Sequence, residues 1–570
     1  MAATTTPTKP AGTPTRRFGK WTDNAMLEDY SLRYAPRSFR TWSSLVVASA
    51  ALGGIAYLVD FAIGASIAVS AGFTNAILAI LLAAVTIFIT GIPIAYYSAK
   101  YHIDMDLLTR GAGFGYLGST LTSLIYASFT FIFFALEGAV MGQALTLFLG
   151  IPLWLSYLIA AIGIIPLVIF GMTLLAKFQL WTQVIWLVLF AAPFVAILVQ
   201  DPGVFSAFTS FGGESPSGSA FSLIAFGTSA GIALSLIAQI GEQVDYLRFM
   251  PDKTEENSRS WWAAVLSAGP GWVVLGAIKQ IGGAFLAFYV ITRTGAADEL
   301  GLEPITQYVE GFNTIFANDF LALAVATFLV VLSQVKINVT NAYAGSLAWS
   351  NFFSRVAHRH PGRVVWVVFN VAVALVLMEV GVFDLLATVL GFYSNVAIAW
   401  LGAVVADLVI IKPLLKVSPS YIEFKRAHLY SINPVGFVSM IVASVVSLLA
   451  FFGFFGELLG AFSPYLALTI AFVLAPIIAV VTKGRYYIAR GGSNSELLEH
   501  GNHAAAAVEE TCVVCGQDYE KPDMAGCPFH SGAICSLCCT LERSCHDVCK
   551  QPGDEEAHPS RLAAVLAKGG

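Results

Sequence analysis

Apolar residues occur in long runs between about residues 43 and 482, and short polar loops separate these runs. A helix needs about 20 predominantly apolar residues to cross the hydrocarbon core of a bilayer. Windows of this length predict twelve spans, span 1 to span 12, centred near residues 55, 85, 133, 161, 188, 235, 275, 330, 373, 396, 444 and 471. We therefore expect an all-α, multi-pass membrane domain over residues 41–485, embedded in a lipid bilayer.

The segments outside the spans have a different composition. Residues 1–40 are rich in Thr, Pro and Arg and lack the apolar stretch of a secretory signal, so we expect a disordered basic tail. Residues 486–510 have the Gly, Asn, Ser and Ala composition of a linker. A Cys-rich segment follows at residues 511–550, and residues 551–570 are expected to form a flexible tail.

The charge balance supports a membrane protein and its orientation. Only 12% of the 570 residues are charged and 57% are hydrophobic, which excludes a soluble enzyme. The net charge of -5 gives no basic excess for binding nucleic acid. Of the 31 Lys and Arg residues, 23 fall in the N-terminal tail and every second loop, against Arg293 alone in the opposite loops. Because basic loops stay on the cytoplasmic side, both termini are predicted to be cytoplasmic.

Several charged side chains lie within or at the ends of the predicted spans. Each costs at least about 2.5 kcal/mol at the centre of a membrane helix, so those that persist usually face a partner or a cavity. They are Asp60, Glu137, Glu242, Asp245, Lys279, Lys336, Asp384 and Asp407. Asp245 and Arg248 lie three residues apart at the end of span 6, a spacing that indicates a structural or gating pair.

Two spans are interrupted at corresponding places in the order of helices. Span 1 contains Gly53 and Gly54 with Asp60 at mid-depth, and span 6 contains small residues followed by Gln239 and Glu242. Broken helices five spans apart are typical of inverted-repeat transporters, in which the half-helix ends form a binding site at the membrane midplane. The alternative is that the glycines only allow close helix packing.

Span 8 carries the richest polar stripe, from Ser333 to Ser346. Successive residues turn by about 100°, so Lys336 and Asn338 lie on neighbouring faces, and Asn341 shares the face of Asn338. Such a stripe must face protein or water. The alternative interpretation is that Lys336 pairs with an acid of another span purely for packing.

Four motifs resemble the nucleobase:cation symporter family of purine, cytosine, allantoin and hydantoin permeases. They are Gly241–Pro251 at the end of span 6, Arg110–Gly115 before span 3, Asn341–Asn351 in span 8 and Gly402–Asp407 at the end of span 10. The resemblance covers about residues 40–480. It implies a five-plus-five inverted repeat of the leucine-transporter type with two further helices. It also implies alternating access and a flat heterocyclic substrate bound between spans 1, 3, 6 and 8.

The resemblance also implies roles for individual residues. Phe133 falls where family members stack the substrate, and Glu137, one turn later, is expected to accept N–H groups from its ring. Asn341 matches the substrate-binding amide of span 8, with Asn338 beside it. In span 6 the register puts Leu236 where an aromatic ring is expected, so Gln239, with Glu242, becomes the expected substrate contact.

The expected coupling site departs from the family pattern. Sodium-coupled members use hydroxyls of span 8 with carbonyls of span 1, near Gly53 and Gly54, and the corresponding region of span 8 carries Lys336. A Lys ammonium could occupy the sodium position. We therefore favour H+ over Na+ as the transported cation, with Lys336 losing its proton when desolvated and regaining it near Asp60 or Glu137.

All eight cysteines lie in the C-terminal segment. Their order resembles a RING-type cross-brace, which would place Cys512, Cys515, Cys535 and Cys538 on one zinc ion and Cys527, His530, Cys545 and Cys549 on another. About 40 residues cannot build an adequate core, so metal would supply the folding energy. A redox-responsive thiol cluster, an iron-sulfur site and disulfides are the alternatives, although a cytosolic location argues against disulfides.

These features predict a non-enzymatic secondary transporter of a nucleobase or related heterocycle in the cytoplasmic (plasma) membrane. No P-loop is present and no Gly-x-Gly-x-x-Gly segment follows a predicted strand, so ATP hydrolysis and redox chemistry have no support in the sequence. The rival hypothesis is a transporter-like sensor that signals through its zinc domain to a cytosolic protein partner. An intramembrane metal enzyme is disfavoured because the spans contain no Cys and no His-x-x-x-His pattern.

Overall fold

The structure, a computed structural model, describes residues 32–169, 172–295 and 301–550. Its membrane domain is built of helices joined by short loops. In chain order these are α1 Ser44–Gly53, α2 Val59–Tyr101, α3 Met105–Thr109, α4 Ser119–Leu149, α5 Leu153–Ile169, α6 Met172–Gln200, α7 Val204–Thr209, α8 Leu223–Ala233, α9 Gln239–Leu247, α10 Ser258–Ala268, α11 Trp272–Thr294, α12 Pro304–Asn313, α13 Asp319–Val356, α14 Arg363–Glu379, α15 Leu386–Ala406, α16 Pro434–Phe451, α17 Glu457–Ala461 and α18 Ser463–Val481.

Within the described residues, nine helical segments are long and apolar enough to cross a membrane. Two shorter apolar segments, Ser44–Ala56 and Leu153–Ile169, correspond to the predicted spans 1 and 4. The longest segment, α2, is interrupted at Gly72, whose φ of 76° is left-handed, so α2 contains the end of span 1 and all of span 2. The predicted all-α multi-pass fold is confirmed, and the count of twelve spans stays a prediction.

Both predicted interruptions are present. Span 1 leaves the α-helix at Gly54, passes through one 3-10 turn, Gly54–Ala56, and is extended at Tyr57 (φ -58°, ψ 152°) before α2 begins. Span 6 passes from α8 to α9 through a 3-10 turn, Leu234–Ala238. The break in span 1 frees backbone groups that a continuous helix would pair internally, and such groups need partners inside a membrane.

The first half of α2 packs closely on α11 because both helices present glycine at the contact. A Cβ atom on Gly64 would lie 1.8 Å from the carbonyl oxygen of Gln280, and one on Gly283 would lie 2.3 Å from the backbone of Phe61. Small residues let membrane helices approach until their backbones touch. This contact brings the middle of span 1 against the middle of span 7.

The segments that flank the membrane domain are more ordered than we expected from their composition. Residues 1–31 and 551–570 lie outside the described residues. The N-terminal arm, residues 32–40, does not continue a disordered tail, because Leu32 and Tyr34 are each 1% exposed. The predicted linker contains two short helices, α19 Glu496–Glu499 and α20 His503–Ala506, and Ser495 is buried in it. Packing against the rest of the chain orders both segments despite their polar composition.

The Cys domain, residues 511–550, is built around two small antiparallel hairpins. The first joins β1 Glu509–Thr511 to β2 Asp518–Glu520, and the second joins β3 Met524–Cys527 to β4 Gly532–Cys535. A short helix, α21 Ser536–Leu541, follows β4. Leu32 of the N-terminal arm completes the small apolar core of this domain, so the two ends of the described chain meet.

The contact between α2 and α11 gives a first prediction. Gly64→Ala should lower the stability of the protein by about 1–3 kcal/mol, the usual cost of overpacking, because the added methyl group meets backbone that cannot rotate away. Gly163→Ala is the matched control, since this helical glycine is exposed and a Cβ atom there meets nothing within 4 Å. Thermal melting in detergent, followed by size-exclusion chromatography, measures both. Equal melting temperatures for the two variants would contradict the packing described here.

Candidate functional site

A carboxylate from α4 stabilises the break in span 1. The backbone amides of Leu58 and Val59, at the start of α2, donate to Oε2 of Glu137 at 3.3 and 3.2 Å. These amides have no helical acceptor, and a negative charge at a helix N-terminus is favourable. Oε1 of Glu137 is buried without a direct hydrogen-bond partner in the described chain, and the amide of Gln334 is nearby. Oε1 of Glu137 can therefore accept from the neighbouring amide of Gln334, whose nitrogen is also unpaired, or from the donor of a bound molecule.

A lysine from α11 occupies the other side of the same break. The ammonium of Lys279 donates to the carbonyl oxygens of Ile55 at 2.7 Å and Tyr57 at 3.0 Å. It also lies 2.9 Å from Oδ2 of Asp60 and 3.4 Å from the centre of the Tyr57 ring. Gln280 donates to the other oxygen of Asp60 at 3.1 Å. The predicted ion-coupling residue Asp60 is thus part of a buried ion pair.

The break in span 6 carries a pair of side chains that bind each other. Gln239 donates from its amide to Oε2 of Glu242 at 2.7 Å, and both side chains are buried. Oε1 of Glu242 has no hydrogen-bond partner among the residues that the structure places. Tyr57 of span 1 interacts electrostatically with Asp60, Glu137 and Glu242. The acidic groups of both breaks therefore lie in one region.

Span 8 adds amides to this region. Asn338 donates to the carbonyl of Phe134 in α4 at 3.3 Å, and Asn341 donates to the side chain of Asn338 at 3.0 Å. Oδ1 of Asn341 is buried and lacks a partner within the described residues. Phe133, the predicted stacking residue, is 3% exposed and lies with its ring centre 4.4 Å from that of Phe129. These contacts bring the predicted substrate residues of span 8 against span 3.

Lys336 lies in a different place from the one we expected. Its ammonium donates to the carbonyl of Gln179 at 3.0 Å and to the hydroxyl of Thr182 at 2.9 Å, both on α6. Gln179 in turn donates to the carbonyl of Lys336 at 2.7 Å. The expected approach of Lys336 to Asp60 or Glu137 is not what the structure shows, because this face of α13 packs against span 5.

The glycines at the break in span 1 are positions of close packing. A Cβ atom on Gly53 would lie 2.6 Å from the side chain of Gln179, and one on Gly54 would lie 3.2 Å from the hydroxyl of Thr340. Their small size therefore allows spans 5 and 8 to approach the break. The surroundings of Gly53 and Gly54 therefore fit the alternative interpretation, in which these glycines allow close helix packing.

The residues predicted as a gating pair contact different helices. Asp245 accepts a hydrogen bond from Tyr126 of α4 at 3.0 Å. Arg248 lies 3.4 Å from Asp104 and donates to the hydroxyl of Tyr343 at 2.8 Å. These contacts join the end of span 6 to spans 2, 3 and 8 on the face that carries the N-terminal arm and the Cys domain.

Asp252 anchors the N-terminal arm on the same face. It forms ion pairs with Arg40 and, at 3.5 Å, with Arg37, and it accepts from His102 at 3.0 Å. Burial opposes ionisation of this carboxyl, but the hydrogen bond from His102 and the charge of Arg40 lower its pKa below the ordinary value. The arm that precedes span 1 is therefore tied to the loop that follows span 6.

The Cys domain contains a second candidate site, a metal centre. The Sγ atoms of Cys512, Cys515, Cys535 and Cys538 lie within 4.8 Å of one another and all four residues are buried. The backbone amide of Cys535 donates to the sulfur of Cys512, and that of Cys538 donates to the sulfur of Cys535, each at 3.3 Å. Amide donors stabilise thiolates, and four thiolates suit a tetrahedral zinc ion.

The second predicted set of zinc ligands, Cys527, His530, Cys545 and Cys549, does not form a comparable cluster in the described chain. Among the described residues, the Cys512 group is the one cluster of His, Cys and acidic side chains close enough for a shared ion. Cys527, Cys545 and Cys549 line a cavity of about 20 Å³ together with Cys539. His530 instead lies 3.1 Å from Glu542. Cys539 therefore lies beside these three cysteines, and His530 contacts Glu542, which lines the same cavity.

The Cys domain is docked on the membrane domain through polar contacts. Arg33 binds Asp523 at 2.8 Å, and the hydroxyl of Tyr34 binds Glu520. Arg426, from the loop between α15 and α16, donates to the carbonyl of Cys539 at 2.9 Å. His358, just after α13, lies 3.3 Å from the carbonyl of Thr540. The domain thus bridges the arm before span 1 and the segments that follow spans 8 and 10.

Lys279 is the main functional residue whose role the sequence did not reveal. It is visible in the sequence as an intramembrane charge, but its partner depends on which helices touch. One signal was present: Asp60 lies one turn before Gly64, and Lys279 lies one turn before Gly283. Because residues four apart share a helix face, each charge lies beside the glycine where the two helices meet.

Solved structures share this fold at low sequence identity. Mhp1, a nucleobase-cation-symport-1 family transporter solved in a closed conformation with bromovinylhydantoin bound, aligns with a TM-score of 0.60 and 15% identity, over 86% of this chain and 99% of that chain. The inward-facing conformation of Mhp1 aligns with a TM-score of 0.57 and 17% identity, over 88% and 99%. A Na+-coupled sialic acid symporter aligns with a TM-score of 0.53 and 15% identity, over 81% and 94%. No curated protein sequence matches the chain.

The family assignment comes from the sequence of the membrane domain. The profile of a family described as permeases for cytosine/purines, uracil, thiamine and allantoin matches residues 34–473. The match includes both broken spans and ends before the Cys domain. This chain therefore belongs to the nucleobase–cation symporter family, and its membrane domain is that of a secondary symporter.

Proposed function

We propose that this protein carries a nucleobase or a related flat heterocycle across the cytoplasmic membrane together with a proton. The observation that carries the proposal is a set of buried acceptor oxygens without a direct hydrogen-bond partner in the described chain: Oε1 of Glu137, Oε1 of Glu242 and Oδ1 of Asn341. Buried polar atoms are nearly always paired, so these oxygens call for donors from a bound molecule. Nucleobases and hydantoins present several N–H groups in one plane.

Neighbouring rings and relatives support this substrate class. Phe133 and Phe129 give the site an aromatic wall on which a flat ring can stack. Mhp1, which shares the fold, was solved with a hydantoin bound. A bound heterocycle would donate to Glu137 and Asn341, with Gln239 and Glu242 contacting its other edge. Glu137 would then transmit binding to the break in span 1, since its second oxygen holds the amides there.

The orientation is part of the proposal. Basic loops accompany the N-terminal arm and the Cys domain on one face, and such loops stay cytoplasmic. Both termini would therefore lie in the cytosol, where thiols stay reduced and can hold zinc. In a cytoplasmic membrane, protons move down their gradient into the cytosol. This arrangement therefore favours import of the substrate with them.

A sensor is the second candidate function, and the docking of the Cys domain is the observation that favours it. Arg33 before span 1 and His358 after span 8 both contact this domain. Relative movement of these spans on substrate binding would change the docking surface and the access of a cytosolic protein partner to it. Tight substrate binding with negligible flux in proteoliposomes would favour the sensor over the carrier.

Zinc is the metal that we propose for the Cys domain, in a structural role. Cys512, Cys515, Cys535 and Cys538 would hold one ion and tie the first hairpin to the start of α21. A second ion is a separate proposal, with Cys527, Cys545 and Cys549 joined by either His530 or Cys539. The ion would supply folding energy to a domain too small for a sufficient apolar core.

The substrate site gives a second prediction. Glu137→Gln should raise the KM for uptake by about tenfold or more, because the NH2 group that replaces Oε1 can only donate and cannot accept from the substrate N–H groups. Its folding should be retained, since the amide oxygen can still accept from Leu58 and Val59. Uptake of radiolabelled uracil, cytosine, hypoxanthine, allantoin and hydantoin into proteoliposomes with an imposed proton gradient measures the effect.

The control for this variant is Glu457→Gln, which removes an exposed carboxylate in α17, away from the break. Its uptake should match that of the wild type. An unchanged KM in Glu137→Gln would contradict the proposed contact. Failure of the wild type to accumulate any of the five compounds would contradict the proposed substrate class.

The metal centre gives a third prediction, read by the zinc content of the purified full-length protein. Cys512→Ser should remove one zinc ion, because three thiolates hold zinc far more weakly than four. If the wild type holds two ions, either Cys539→Ser or His530→Ala should remove the second, and the geometry favours Cys539→Ser. Exposed Ser544 offers a control, Ser544→Ala, that should leave the zinc content unchanged. A wild-type protein without zinc would contradict the proposal.

A further inference from the structure

The ammonium of Lys279 contacts three oxygens of span 1, two through hydrogen bonds and one through an ion pair. It lies 2.7 Å from the carbonyl of Ile55, 3.0 Å from the carbonyl of Tyr57 and 2.9 Å from Oδ2 of Asp60. The two carbonyls accept two of the three N–H donors of the ammonium, and the carboxylate compensates its charge. Lys279 is 1% exposed and Asp60 is 0% exposed, so water does not compete for these contacts.

The two carbonyls face Lys279 because the helix is broken at this point. In a continuous α-helix the amide of Val59 would donate to Ile55, and the amide of Phe61 would donate to Tyr57. Instead Val59 donates to Glu137 at 3.2 Å, and Phe61 donates to Leu58 at 2.9 Å. The break thus presents two carbonyls and one carboxylate to a single point, the kind of oxygen set that binds a small hard cation.

We propose that Lys279 is a tethered cation that fills this oxygen site in place of a free metal ion, so that the proton is the coupling cation of this carrier. The inference rests on the proposed function and names its coupling residue. A sodium ion at the same oxygens would lie within a few ångströms of the ammonium, and two like charges at that distance repel strongly in a buried site. Sodium therefore cannot share the site with Lys279.

The charges around the break leave a place for one further positive charge. Asp60 and Lys279 compensate each other. Glu137 on α4 faces the same break and interacts electrostatically with both residues. Glu242 on α9 and the phenol of Tyr57 are the other titratable groups here. A proton that enters with the substrate would bind one of the carboxyl groups at the break. It would leave when the site opens to the other side of the membrane.

The test measures sodium-specific stabilisation and the driving ion in the same purified proteins. Wild type, Lys279→Ala, Lys279→Met and the exposed control Lys177→Met are compared in sodium chloride and in choline chloride by thermal melting. The wild type and the control should melt at the same temperature in both salts. Lys279→Ala should be stabilised by sodium specifically, because it frees two carbonyls and a carboxylate for the ion.

Uptake into proteoliposomes provides the second readout. Proton-driven uptake should fall about tenfold or more in Lys279→Met, the size of a typical coupling effect, and should be unchanged in Lys177→Met. Lys336→Met distinguishes a coupling role of Lys279 from one of Lys336. Proton-driven uptake that is lost in Lys336→Met but retained in Lys279→Met would overturn the inference.

Sodium dependence of the wild type would also overturn the inference, and this measurement needs no folded variant. If the wild type carries none of the five heterocycles, the proposed function fails while the melting comparison still tests Lys279 by itself. Sodium-driven uptake of a heterocycle by the wild type would instead leave the substrate class standing and reject the tethered cation.

Discussion

The structure depends on how the break in span 1 is stabilised inside a membrane. Unpaired backbone groups there cost several kcal/mol each unless the protein supplies partners. Glu137 accepts from the freed amides and Lys279 donates to the freed carbonyls. The partners are charged and opposite in sign, and Asp60 compensates the lysine. Glu137, Lys279 and Asp60 therefore stabilise the break and are also the groups that can respond to a substrate and a proton.

Much of this arrangement could be predicted from the sequence, and the limits have physical causes. The Gly53–Gly54 pair with Asp60 predicted the break in span 1, and small residues followed by Gln239 and Glu242 predicted the break in span 6, because lipid-facing helices rarely contain such residues. The spacing of Cys512, Cys515, Cys535 and Cys538 predicted that these four side chains meet, because metal-ligand pairs follow a short repeat. The side chain that each buried lysine contacts could not be predicted from the sequence. It depends on helix rotation, which put Lys336 against span 5 and Lys279 against Asp60.

The Cys domain lies beyond the family match, yet it is part of the same structure. Leu32 from the N-terminal arm enters its core, and Arg426 binds the backbone of Cys539. The arm leads directly into span 1 and is held by Asp252, which follows span 6. If the Cys512 cluster holds the proposed zinc ion, loss of that ion would loosen the domain and, with it, the anchoring of both broken spans on this face. The composition of the flanking segments did not predict this docking. The docking consists of single polar contacts between residues that are far apart in the sequence.

The central claim is that substrate and proton cross together at a break that Lys279 holds in place of sodium. The most direct measurement is the internal pH of proteoliposomes, loaded with a pH-sensitive dye and kept in sodium-free choline buffer, when a transported heterocycle is added outside. The account predicts acidification of the lumen that requires the substrate and is absent in Lys279→Met. Accumulation of labelled substrate without acidification, or only after sodium is added, would contradict it.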